Sequence, residues 1–252
     1  MIINIAIIGG LNWFGKGMIE STMHYKYFFN IIDNCSSPNS CKSCFGDIKH
    51  LEIENYIHYY GDLRSGLKGT QFVIFNISGN KNITKTHEVQ NLFFETCLLC
   101  KEFDIKIIYS LDQDEFSNYY KNTVVNKIGC RYTSINHCSN IIGEMKVRDK
   151  IEEMVYYLSI MNRVDVINQE FRYTTTKQVI YTYLQALSID GYIQLPYETI
   201  NETSIFYTIQ YKLPKDKYLY YRINRIDGNE DICKELVLKD YIDPLIDKYF
   251  RF

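Results

Sequence analysis

Apolar positions recur along this chain in two registers, and their alternation predicts a sheet covered by helices. Runs of strand length occur at Ile3–Ile8, Tyr27–Ile32, Glu54–Tyr59, Phe72–Ile77, Ile105–Tyr109 and Val164–Asn168. The stretches "FVIFNI" and "IKIIYS" lack polar alternation, as strands buried on both faces should. Between the runs, amphipathic segments at Trp13–Met23, His87–Glu102, Ile141–Met161 and Thr174–Leu187 read as helices. Strands alternating with helices predict an α/β fold, a Rossmann-like doubly wound parallel sheet.

After Leu187 the texture changes. The pieces "GYIQLP", "SIFYTIQYKL" and "YLYYRINRI" are short and β-prone, separated by Pro196, the "NETS" stretch and "PKDK". They predict a small C-terminal α+β lobe, with residues 1–170 as the Rossmann part and 171–252 as the lobe. The polar insert "NCSSPNSCKSCFGD" after the second strand reads as a surface loop.

A length of 252 residues suffices for a substantial core. A net charge of −2 offers no electrostatic reason to expect nucleic acid or an anionic membrane as partner. The 23 tyrosines and 14 phenylalanines against 4 prolines match the style of an AT-rich coding sequence, so aromatic abundance alone does not argue for a base-stacking surface. The start "MIINIAIIGG" has no basic leader and its apolar stretch is too short to span a membrane, so a cytoplasmic protein is expected. Its eight cysteines are then expected as thiols. Cys97 and Cys100 fall in the apolar "FFETCLLC" and read as core. Cys35, Cys41, Cys44 and His50, spaced C-x5-C-x2-C-x5-H in the polar insert, are the one weak zinc candidate; the spacing matches no common zinc module, and no metal is expected.

The chemistry starts at "IAIIGGLNWFG". A strand that ends in glycines before a helix offers free backbone N–H groups and the positive end of a helix dipole, which together stabilise a pyrophosphate. Gly9 supports the turn and Gly15 permits close helix packing, while Asn12 stands where the dinucleotide pattern places its middle glycine. Asparagine tolerates the left-handed conformation, yet its side chain takes part of the phosphate's space. Asp33 closes the second strand eighteen residues after Gly15, the place where a carboxylate accepts bonds from ribose hydroxyls and disfavours a 2′-phosphate, so NAD is expected over NADP.

Further pieces follow in order: "GDLRSGLKGTQFVIFNISG", "QNLFFETC" and "IKIIYSLD". Together with "IIGGLNWFG", these resemble the motifs of the extended short-chain dehydrogenase/reductase superfamily, and most closely its 3β-hydroxysteroid dehydrogenase/isomerase branch within the nucleotide-sugar epimerase group. The resemblance covers about residues 3 to 112 and thins beyond. It implies cofactor contacts at Gly9, Gly10, Asn12, Trp13, Phe14, Gly15, Asp33, Asp62, Leu63 and Ser78. It also implies a homodimer or protein partner engaged through helices near 87–102 and 141–160.

Members of that superfamily remove an alcohol proton with a tyrosinate, assisted by a lysine four residues later and a serine after the fifth strand. Carried over residue by residue, the serine position falls on Asp112, beside Ser110, and the Y-x-x-x-K pair on Glu144 and Arg148. A carboxylate is a poor base for an alcohol, and arginine presents a different donor geometry from lysine. "YTTTK", Tyr173 to Lys177, matches the pattern literally but lies far from Ser110 and looks like a helix start. The expectation is therefore an NAD-binding protein that has kept this fold and lost the dehydrogenase reaction. The alternatives are an active NAD-dependent oxidoreductase of hydroxysteroid or nucleotide-sugar type, and a Rossmann domain that binds nothing.

Overall fold

The computed structural model describes residues 3–10, 12–22, 27–32, 57–60, 62–77, 83–111, 115–137, 139–143, 148–161, 163–167, 169–213, 220–224 and 238–250. In chain order the elements are β1 (Ile3–Ile8), α1 (Trp13–Thr22), β2 (Tyr27–Ile32), β3 (Ile57–Tyr60), α2 (Leu63–Leu67), β4 (Phe72–Phe75), α3 (Ile83–Phe103), β5 (Lys106–Leu111), α4 (Glu115–Ile128) and β6 (Tyr132–Asn136). Then come β7 (Asn140–Ile142), α5 (Lys150–Met161), β8 (Arg163–Ile167), β9 (Glu170–Thr175), α6 (Thr176–Ala186), β10 (Gly191–Gln194), β11 (Glu198–Asn201), α7 (Glu202–Lys212), β12 (Tyr220–Asn224) and α8 (Lys239–Phe250).

Two compact units form. One holds residues 1–138 and 177–195, the other 139–176 and 196–252. A single cut near residue 170 therefore does not divide the chain. The chain leaves the first unit after β6, returns to it for α6 and β10, and leaves again.

The first unit is a doubly wound α/β sheet of seven parallel strands in the order β10-β6-β5-β4-β1-β2-β3. β1 and β5 are mainly apolar on both faces because helices cover both, and β5 is buried along its whole length. Ala6 and Ile8 of β1 share one core with Leu63 and Leu67 of α2, Phe93 and Cys97 of α3, and Val124 and Val125 of α4. Ile7 points the other way, against the Gly10 turn that starts α1. On that side Phe14 meets Tyr183 of α6 edge-on, with ring centroids 4.6 Å apart. Ile8 stands opposite Ile32 on one side and Phe75 on the other, so the ends of β2, β1 and β4 are level. The strand order reverses between β1 and β4, which opens the crevice where this architecture receives ligands.

The second unit is α+β. β9 lies between antiparallel β11 and parallel β7, β8 pairs with β12, and α5, α7 and α8 supply a core of Ile151, Val155, Leu158, Phe206, Ile209 and Ile242.

Three expectations are corrected, and one helix is added. The strand near Val164–Asn168 exists as β8 but pairs with β12, while the sheet's sixth strand is β6, whose mixed sequence "YTSIN" hides it. Ile141 and Ile142 belong to β7, and α5 starts at Lys150 because Asp149 accepts the N–H groups of Ile151 and Glu152, both at 2.9 Å. "SIFYTIQYKL" is helix α7, capped by Asn201 and buried through Ile205, Phe206 and Ile209. Its β-branched and aromatic residues fit helical spacing once the cap is in place. α4 was not anticipated at all, being polar except for a narrow stripe.

Candidate functional site

The turn after β1 sets the site. Gly9 adopts φ +72°, a conformation that L side chains rarely take, and its N–H donates to Ile32 O at 3.0 Å, fastening the turn to the end of β2. A Cβ on Gly15 would sit 1.9 Å from Gly10 O, so only glycine lets the first turn of α1 close against the loop. The glycines thus do what the sequence suggested. The α1 N-terminus stands beside the end of β1, where the positive end of its dipole favours an anion.

Asn12 changes what those donors can do. Its Oδ1 accepts from Phe14 N at 2.9 Å and from Gly15 N at 3.3 Å, and its Nδ2 donates to Gly9 O at 3.0 Å. Its main chain also spans the turn, receiving Lys16 N at its carbonyl and donating to Gly10 O. Asn12 is therefore the N-cap of α1. The two N–H groups best aimed at a phosphate are already paired with an amide oxygen of the same loop. In this conformation the Asn12 amide oxygen satisfies both of these donors. Trp13 is half-buried at the first helical position; Phe14 is in the core, 1 % exposed, so only its backbone faces the turn.

The remaining cofactor candidates separate. Asp62 caps α2, accepting Ser65 N at 2.8 Å, and that bond holds its carboxyl below the usual range. Leu63 is buried in the core beneath it. Asp33 and Ser78 lie outside the described residues, as do Asp112, Glu144 and the zinc candidates Cys35, Cys41, Cys44 and His50. Among the described residues no group of three His, Cys, Asp or Glu side chains is arranged to hold a metal.

Of the catalytic candidates, Arg148, Tyr173 and Lys177 fall among the described residues. Arg148 precedes α5 rather than lying within a helix; its guanidinium stacks 3.4 Å from the Tyr156 ring centroid and its Nε donates to Tyr249 Oη at 3.2 Å. Tyr173 belongs to strand β9, and Lys177 to the first turn of α6, so the literal Y-x-x-x-K does not share one helix face. The Tyr173 hydroxyl donates to Glu198. Burial and that carboxylate push its pKa up to about 12, away from a tyrosinate at neutral pH.

A lysine that the sequence reading missed lies beside β5. Lys121 of α4 is 3 % exposed, and its Nζ donates to Ser110 O at 2.8 Å. Four residues before it stands Ser117, not tyrosine. The neighbouring phenols are elsewhere: Tyr120 donates to Gln90 O, and Tyr119 is exposed. A buried lysine eleven residues after Ser110 is the signal that could have found this position, but it was hidden inside a helix that the periodicity did not reveal.

No family profile and no curated protein matches this chain. Solved structures do. The chain is similar to the Bordetella bronchiseptica enzyme WbmG in complex with NAD, with a TM-score of 0.70 at 10% identity over 99% of this chain and 95% of that one. It is similar to UDP-glucuronic acid 4-epimerase from Bacillus cereus in complex with NAD, at 0.68 and 13% over 99% and 100%. UDP-glucose 4-epimerase from Thermus thermophilus in complex with NAD aligns at 0.60 and 10% over 88% and 86%. At these identities the likeness is one of fold, that of NAD-dependent epimerases.

Proposed function

We propose that this chain is an extended short-chain dehydrogenase-like protein with a weakened NAD site and without dehydrogenase chemistry, acting as a cofactor-responsive or protein-interaction module. The observation that carries the reading is the pair Ser117 and Lys121. We read Lys121, rather than Arg148, as the lysine of the family's Y-x-x-x-K helix, because it is the lysine buried against the end of β5. The position four residues earlier then holds a hydroxyl that titrates far above any phenol and cannot serve as a base for an alcohol. Support for a nucleotide comes from the Gly9, Gly10 and Gly15 turn, from its place at the β1/β4 switch point, and from structural neighbours solved with NAD. NAD binding through Gly9, Gly10, Trp13, Phe14 and Gly15 requires the Asn12 side chain to turn away from the donors it now occupies.

The same Asn12 cap favours one second reading, a Rossmann unit that binds no ligand. Calorimetric titration with NAD and NADH separates them. The proposal expects saturable heat with Kd on the order of a millimolar, about −4 kcal/mol, and no NADH formation with UDP-sugars or hydroxysteroids. Absence of heat at millimolar ligand leaves the ligand-free reading. Turnover above the no-enzyme rate overturns the loss of chemistry.

Phe94 and Leu98 of α3 and Phe116 and Tyr119 of α4 are large apolar side chains 44 to 72 % exposed on two packed helices of the first unit. These are proposed as part of the homodimer face.

A further inference from the structure

Three cysteines outside the nucleotide turn meet where α3 ends and α4 gives way to β6. Cys97 and Cys100 are fully buried on the inner face of α3, 0 % and 1 % exposed. Cys130 is half-buried on the short connection to β6. Gly129, at φ +72°, ends α4, and both Gly129 N and Cys130 N turn back onto Val125 O, so the thiol is held in place by a fixed cap. From there Cys130 Sγ donates to Cys97 O at 3.1 Å, which holds the Cys130 sulfur against the Cys97 residue. Lys101 Nζ donates to Gly129 O at 3.0 Å, which puts an ammonium beside the same thiol.

We infer that Cys130 is a peroxide-reactive thiol and that Cys97 is its resolving partner. The geometry selects both. Cys130 alone of the three is not fully buried, and its Sγ is bonded to the main chain of Cys97 rather than to that of Cys100. The reactive species is the thiolate. The hydrogen bond from Cys97 lowers the Cys130 pKa first, partial burial opposes it, and the Lys101 charge lowers it further. The negative end of the α4 dipole also opposes the thiolate, and Lys101 offsets that by sitting on the last-turn carbonyl. The thiols of Cys97 and Cys100 are pushed up well above the ordinary thiol value and stay protonated.

The chemistry balances with hydrogen peroxide as oxidant. Cys130 thiolate attacks one peroxide oxygen; an S–O bond forms, the O–O bond breaks, and hydroxide leaves to take a proton as water. Cys97 sulfur, giving up its proton, then attacks the sulfenic sulfur; an S–S bond forms and the S–O bond breaks, releasing a second water. Two thiols lose two electrons and peroxide gains them. The product ties α3 to the start of β6 across 33 residues of chain.

The test is peptide mapping of the full-length protein after one equivalent of hydrogen peroxide, with free thiols alkylated before digestion. The expected result is a Cys97–Cys130 linked peptide, with Cys100 still alkylated. The melting temperature rises by roughly 5–10 °C, as expected for closing a loop of this length, and dithiothreitol reverses it. In Cys97→Ser, Cys130 accumulates as a sulfenic acid trapped by dimedone. In Cys100→Ser the linked peptide forms as in the wild type. A Cys130 that remains alkylatable while other thiols oxidise, or a linkage of Cys97 to Cys100 instead, overturns the inference. The mapping needs no variant, so it stands even if a substitution disturbs folding.

Discussion

The side-chain oxygen of Asn12 accepts the backbone N–H of Phe14 at 2.9 Å, so the loop supplies its own acceptor at the point where a nucleotide phosphate would be received. That contact gives the first prediction. Asn12→Gly removes the competing acceptor while glycine remains an adequate N-cap, so stability changes by only a few tenths of a kcal/mol. NAD affinity should rise about tenfold, one charge-assisted hydrogen bond's worth, measured by calorimetry. Asn12→Ala should lose about 1 kcal/mol, or roughly 2–4 °C in melting temperature. An unchanged affinity in Asn12→Gly would mean that the cap is not what limits the site.

Lys121 tests whether chemistry survives. If Ser117 has ended the dehydrogenase reaction, Lys121→Met changes no turnover and instead destabilises by about 1–3 kcal/mol, because the Ser110 carbonyl loses its buried donor. Denaturant unfolding reads the stability and NADH absorbance the turnover. Wild-type turnover that Lys121→Met abolishes is the outcome that contradicts the proposal.

Lys106 begins the fully buried strand β5, is 1 % exposed, and caps the end of α6. Its Nζ donates to Ala186 O at 2.8 Å and to Ile189 O, and pairs with Asp190 at 2.9 Å. Lys106→Met strands those carbonyls and should cost about 2–3 kcal/mol. Thermal unfolding should begin in α6 and β10, visible as early loss of amide-exchange protection there.

In the second unit, Glu152 is nearly buried, which by itself raises its pKa. Hydrogen bonds from Lys248 Nζ and Tyr249 Oη, both at 2.7 Å, outweigh burial and hold the carboxyl below its usual range. A depressed folded pKa means stability that is present above the unfolded value near 4.3 and lost as pH falls through the folded one. Denaturation midpoints should therefore drop below about pH 4.3, and Glu152→Gln should flatten that dependence.

The α3/α4 face makes a prediction about assembly. Phe94→Glu with Leu98→Glu places two charges on an exposed apolar stripe. A dimer should become a monomer by sedimentation, with melting temperature unchanged within about 2 °C, since surface changes alone cost little. A wild type that sediments as a monomer removes this surface from consideration.

Much of this protein was decided locally. β1 and β2 begin and end where the apolar runs do, and Gly9 and Gly15 are glycines because a positive φ at the one and a 1.9 Å approach at the other leave no alternative. Continuous apolar strands between amphipathic helices sufficed to specify a parallel sheet covered on both faces, since that is where such strands lose contact with water. What the sequence alone could not settle depended on long-range partners. β6 is mixed in composition and is a strand because β5 and β10 flank it; α4 is polar and is a helix whose buried stripe includes a lysine; α7 is β-prone and is a helix because Asn201 caps it and Ile205, Phe206 and Ile209 find a core. The return of α6 and β10 to the first unit joins segments far apart in the chain, which no local pattern encodes. The site divides the same way: a glycine pattern announces a phosphate turn, but whether its N–H groups are free is settled by where one side chain, that of Asn12, comes to rest once the turn has closed.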